Sequence, residues 1–138
     1  KDGKCSTCHE EGTEGARSAA AMYKDIVALK AENDAAKAAL QREAEAGMLV
    51  ASAQFDLSRA EEALTKARAD VHLFQPYAVQ QTVAGGLTIA RTARAEAVLI
   101  RRERTFRRKG LIVALGLIGL SIAALVAKIR DIDRRRRW

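Results

Sequence analysis

Apolar residues recur through the first hundred positions in alternating steps of three and four, beginning with Met22, Ile26, Leu29, Asn33, Ala36 and Leu40. That spacing draws one narrow stripe on an α-helix, the a/d seam of a coiled coil, and not the broad face of a globular helix. Helical character extends from about Glu14 to about Ala46. Asn33 interrupts the stripe with a polar group, which in a seam can fix register. A second stripe follows at Val50, Ala53, Leu57, Ala60, Leu64, Ala67, Val71 and Phe74. Continuing the first stripe unchanged would put Gly47, Gln54 and Glu61 at core positions. The phase therefore breaks near Gly47, a residue suited to the position after a helix C-cap. We read a tight helical hairpin there, with one long helix carrying a stammer as the competing reading.

Gln75-Pro76 ends the second helix, because the residue before proline is pushed out of the α region. A third stripe runs through Val79, Val83, Gly86, Ala90, Ala93, Ala97 and Ile100. Its small side chains predict close helix approach, and Gly85-Gly86 is where a bend or break is expected. Residues 110–127, GLIVALGLIGLSIAALVA, then run for 18 positions without a charge. That is near the lower limit for a membrane span, and flanking Arg and Lys stems can snorkel to extend it. Within it, Gly119, Ala123 and Ala127 form a ridge of small residues.

The predicted fold class is therefore all-α. An extended antiparallel helical hairpin or three-helix bundle, coiled-coil-like, is followed by one C-terminal transmembrane helix. By domain, the reading is an attachment segment at 1–13, helices over 14–109 with turns near 46–47 and 75–76, a transmembrane helix at 110–127 and a basic tail at 128–138.

Composition supports long helices packed through small side chains: aromatics make up 4% of the chain and there is one proline. Charge changes the picture more. Residues 1–100 carry 12 Lys/Arg against 14 Asp/Glu, whereas residues 101–138 carry 12 against 3. The net charge of +7 thus belongs to the surroundings of one apolar segment, which fits a membrane anchor better than a nucleic-acid-binding surface. Six Lys/Arg lie in 101–109 and six in 128–138, so the positive-inside count ties.

Both cysteines of the chain and one of its two histidines meet in Cys5-Ser6-Thr7-Cys8-His9. In a C-x-x-C-H run the two thiols can add to the vinyl groups of a haem, and the adjacent imidazole is held under the ring to ligate the iron. Cys5 and Cys8 are the expected thioether positions, His9 the proximal ligand and haem c the cofactor, one in this chain. Attachment of this kind takes place outside the bacterial cytoplasmic membrane, which breaks the charge tie. The haem part is placed in the periplasm and the basic tail in the cytoplasm, as a single-pass protein of the cytoplasmic membrane.

The remaining histidine, His72, is the candidate distal ligand. A hairpin turning near 46–47 brings position 72 back alongside about position 20, and next to the seam residue Val71 it is expected to face inward. Met22 and Met48 are the alternative sulfur ligands; Met48 would lie at the far end of the hairpin, and Met22 lies on the first stripe. Tyr23, Phe74 and Tyr77 could wall the haem, and Lys4 or Arg17 could reach its propionates. Two histidine ligands leave no vacant iron position, which is electron-transfer chemistry. Nothing else in the chain has the pattern of an enzyme: no paired carboxylates, no nucleophile beside a base, no phosphate-cradling glycine loop.

CSTCHEEGTEGA, followed by a helical hairpin with a returning histidine and a C-terminal span, resembles the membrane-anchored end of multihaem c-type cytochromes, in particular the cytochrome c3-like or doubled-CxxCH group. The resemblance implies periplasmic respiratory electron transfer. The chain has a single C-x-x-C-H, so upstream haem domains or other c-type cytochromes are the implied partners, with a quinone-linked membrane complex as donor and the lipid membrane as support. The chain opens Lys1-Asp2-Gly3-Lys4 without a methionine, and a haem so near a mature terminus would be poorly walled, so we expect this to be the C-terminal part of a longer protein. The alternative of a different class is a coiled-coil membrane scaffold or signalling stalk without haem. A zinc site completed by His72, or thiol–disulfide exchange by Cys5 and Cys8, are weaker readings.

Overall fold

A computed structural model describes residues 12–73 and 75–136. The fold is all-α. Three helices follow one another: α1 over Glu14–Glu45, α2 over Ala51–Asp70 and α3 over Pro76–Arg136, with a 3₁₀ turn at Val71–Leu73. The chain divides into two compact units, Lys1–Ile100 and Arg101–Trp138.

Local chemistry sets each helix end. Thr13 has extended backbone and caps α1, its Oγ1 accepting from the Ala16 amide at 3.2 Å. Glu14 in the first turn complements the positive end of the helix dipole. At the other end Gly47 adopts φ +78°, the left-handed region that a Cβ disfavours. The Gly47 amide donates to Ala44 O at 2.9 Å and the Met48 amide to Glu43 O at 3.0 Å. These two bonds make a Schellman cap, which closes α1 and turns the chain into α2. Pro76 opens α3 at the first helical position, where its missing N–H costs nothing.

In the first unit the three stripes become one core. Met22, Leu29, Asn33, Ala36 and Leu40 of α1 are buried, as are Val50, Ala53, Leu57, Ala60 and Ala67 of the second stripe. Val79, Val83, Gly86, Ala90, Ala93 and Ala97 of α3 complete it. Ile26, Leu64, Val71 and Ile100 are half-buried and pack against the same core. Glu43 is buried too, one seam step beyond Leu40.

The core falls into two clusters. One, around Leu40, Val50 and Leu57, lies toward the Gly47 turn. The other, around Met22, Leu29 and Val79, lies toward the end where α1 begins. Asn33 sits in α1 between Leu29 and Ala36, and so between the clusters, and its Nδ2 donates across to Ala60 O of α2 at 3.1 Å. Lys37 pairs with Glu61 at 2.9 Å, joining α1 to α2, and Arg94 pairs with Glu32 at 3.1 Å, joining α3 to α1.

The weak point at Gly85-Gly86 does not break the helix: α3 passes through both glycines. The reason is packing. A Cβ built on Gly86 would stand 3.0 Å from Ala63 Cβ and 3.0 Å from Leu29 Cδ2, so all three helices meet there. Tertiary contact outweighs the propensity cost of glycine, about 1 kcal/mol. Gly85 faces open space.

The second unit is the remainder of α3. Over 110–127 every side chain is exposed, including Leu111, Ile112, Leu115, Leu117, Ile118 and Leu120. This stretch is long and apolar enough to cross a membrane.

The two neighbouring glycines should respond oppositely. Gly86→Val is expected to destabilise the bundle by roughly 1–3 kcal/mol, as overpacking at a tight junction does. Gly85→Ala should stabilise it by about 0.5–1 kcal/mol. Urea unfolding followed by circular dichroism checks both, and equal responses would contradict the three-helix junction.

Candidate functional site

The start of α1, the end of α2 and the start of α3 form one end of the first unit. Met22 and Val79 share a buried cluster, and Val71 packs against it, which fixes this meeting. Thr13 caps α1 at this end, and the segment bearing the C-x-x-C-H run leads into that cap. Cys5, Cys8 and His9 lie outside the described residues, as do Lys4 and Phe74.

His72 lies at this end, on the 3₁₀ turn that follows α2. It is exposed, not turned into the core. Val71 continues the stripe and is half-buried, and His72, one residue further and about 100° round, falls on the surface, as Thr65 does one heptad earlier. The imidazole has no hydrogen bond or ion pair among the described residues, so both ring nitrogens remain available there.

The other candidates are separated by burial. Met22 is 4% exposed and packs in the core, where its sulfur serves as filling. Met48 stands at the Gly47 turn, at the opposite end of the hairpin. Tyr23 and Tyr77 are at the His72 end, and both are largely exposed, at 69% and 76%. Arg17 is exposed on the first turns of α1. The structure thus brings His72, Tyr23, Tyr77 and Arg17 to the surface of one end of the bundle, buries Met22 beneath that end and leaves Met48 at the other.

The chain matches no protein-family model, no curated protein and no solved structure. Its site chemistry therefore has to be argued from its own residues. No group of three or more His, Cys, Asp or Glu among the described residues is placed to hold a metal ion. A shallow groove between α1 and α2 is lined by Lys37, Gln41, Gln54, Leu57, Ser58 and Glu61; the Ser58 hydroxyl donates to Phe55 O at 2.7 Å, and Glu61 is paired with Lys37.

Glu43 is the residue that the sequence stripe missed. It continues the seam three residues after Leu40, a spacing that signals burial while its charge conceals it.

Among the described residues, the displaced pKa belongs to the bundle and not to this end. Lys37 is held above the ordinary lysine value by its hydrogen bond to Glu61 and then by the charge of that carboxylate. A raised folded-state pKa stabilises fully below the unfolded value of about 10.4 and loses that contribution as pH rises through the folded value. Lys37→Met is expected to lower the thermal midpoint slightly near neutral pH, with the difference from wild type closing as pH rises past the ordinary lysine range. A difference unchanged across that range would show that Lys37 acts through packing alone.

Proposed function

We propose that this chain is a membrane-anchored c-type cytochrome module of the periplasm that carries single electrons in respiratory transfer. The observation that carries the reading is the meeting of both cysteines and a histidine in Cys5-Ser6-Thr7-Cys8-His9. Cys5 and Cys8 hold the haem through thioethers and His9 is its proximal ligand. The haem supplies a one-electron couple when bound.

The fit of the rest of the chain rests on two facts. Four residues of chain join His9 to Thr13, a reach of at most about 14 Å, and Thr13 caps α1 at the end of the bundle that carries His72. His72 is exposed there with its ring nitrogens unengaged among the described residues, as a distal ligand requires. Tyr23 and Tyr77 offer aromatic surface at the same end. Residues 110–127 of α3 anchor the module, with the N-terminal part outside and the basic tail in the cytoplasm. Electrons pass to or from upstream haem domains, other c-type cytochromes or a quinone-linked complex.

The second reading is a coiled-coil stalk without haem. It is favoured by one observation: the seams of the first unit pack on one another along the bundle, with Leu29, Leu40 and Val79 inaccessible.

The deciding measurement is an absorption spectrum, oxidised and dithionite-reduced, of full-length protein made with haem-maturation machinery. Haem that survives denaturation is expected, low-spin in the wild type. In His72→Ala the low-spin signature should be lost while the haem stays attached. Persistence of that signature would move the distal ligand to a partner or to Met22. Absence of haem would leave the stalk.

A further inference from the structure

Residues 101–109 do more than border the apolar run. Arg101, Arg102, Thr105, Arg108 and Lys109 are spaced i, i+1, i+4, i+7 and i+8, and so share one face of α3. All five are exposed, and the four cations have no ion-pair partner among the described residues. The single acidic residue of the stretch, Glu103, lies on the opposite face and is bonded to Arg107, whose Nε donates to its Oε1 at 3.1 Å. Phe106, 78% exposed, lies between the two faces. The acidic residue and its partner are thus segregated from the four cations.

Thr105 stands at the centre of the four. Its Oγ1 donates back to Arg101 O at 2.9 Å, which folds the short side chain against the helix and leaves a recess between longer ones. Toward the apolar run the same face continues through Ile112, Gly116 and Gly119. A Cβ added at either glycine would meet nothing within 4 Å, so this face is a smooth furrow below the cations.

The geometry points to a binding site for an anionic phospholipid, its phosphate held by Arg101, Arg102, Arg108 and Lys109 above Thr105 and one acyl chain laid along Ile112, Gly116 and Gly119. Charge complementarity decides the headgroup. Four like charges on one face with no anion of their own are relieved by a phosphodiester carrying net charge, whereas a zwitterionic headgroup brings its own cation. The furrow decides the source, because it gives an acyl chain apolar cover that free phosphate cannot use. The inference rests on the reading of 110–127 as a membrane span.

The test uses the full chain in phosphatidylcholine nanodiscs containing a minor fraction of phosphatidylglycerol, with retained lipids identified by native mass spectrometry. The wild type should favour phosphatidylglycerol by about tenfold or more. The variant R101Q/R102Q/R108Q/K109Q should lose that preference, and R134Q/R135Q/R136Q should keep it. Inorganic phosphate should not displace the lipid. Absence of preference, preference that survives the fourfold change, or displacement by inorganic phosphate would each overturn the assignment. G116L/G119L should lower lipid retention without altering oligomeric state. Were it instead to dissolve a dimer with retention unchanged, the furrow would hold a second copy and the lipid assignment would fall. A chain that alkaline carbonate washes from vesicles defeats the span reading itself, whereas an integral chain without lipid preference defeats this inference alone.

Discussion

The first unit depends on how closely three helices can approach. Seven of the fourteen buried hydrophobic residues are alanine, and at the tightest point the residue is glycine. Gly86 meets Ala63 and Leu29 at distances that admit no further atom without displacement. A seam of such small side chains buries little area per residue, so stability must come from length and continuity, not from a thick core. It also makes register unforgiving. A bulky residue moved one step along α3 would meet a gap made for glycine. Asn33 adds to this, because its bond to Ala60 O exists in one register only, and its Oδ1 has no hydrogen-bond partner among the described residues. A buried amide half satisfied in this way costs stability and gains specificity.

The same narrowness explains what the sequence could reveal. A stripe one residue wide in steps of three and four admits one helical face, so Met22 through Leu40 and Val79 through Ile100 were legible without a structure. The hairpin was legible because Gly47 coincides with a phase break, and its positive φ and Schellman bonds are the physical form of that break. Three things were not legible. Continuity of α3 through Gly85-Gly86 depends on side chains from two other helices, which local propensity does not contain. The burial of Glu43 follows the stripe but contradicts its chemistry. The outward direction of His72 was hidden by its neighbour: it stands one residue past the seam position Val71, about 100° round from the core face. For the candidate site, motif spacing identifies Cys5, Cys8 and His9 by type alone, while the position of His72 followed from topology and its orientation did not.

Charge obeys a different logic from packing here. In the bundle, two ion pairs join helices, Lys37 to Glu61 and Arg94 to Glu32, beside local pairs within α1 and α2, Lys30 with Asp34 and Arg59 with Asp56. Beyond Ile100 the acids nearly vanish, and two of the three are bound locally, Glu103 to Arg107 and Asp131 to Arg135. Such i, i+4 pairs contribute only tenths of a kcal/mol each. They do, however, decide which cations remain for an outside anion. A count of arginines cannot distinguish these two populations; their positions around the helix can.

Whether a prosthetic group completes the fold or is added to it also follows from the core. At the end carrying His72, Met22 and Val79 are already buried by the chain's own side chains, and Val71 lies over the same cluster. The described bundle therefore closes without a haem. On the cytochrome reading, the haem is held by its covalent links and its ligands against a surface that is already finished, with Tyr23 and Tyr77 beside it. Folding and haem loading become separable properties, unlike those of a small cytochrome whose core is its porphyrin. The helices can keep their register whether or not Cys5 and Cys8 carry a haem, and for that reason the bundle alone cannot choose between an electron carrier and a stalk. The choice belongs to five residues.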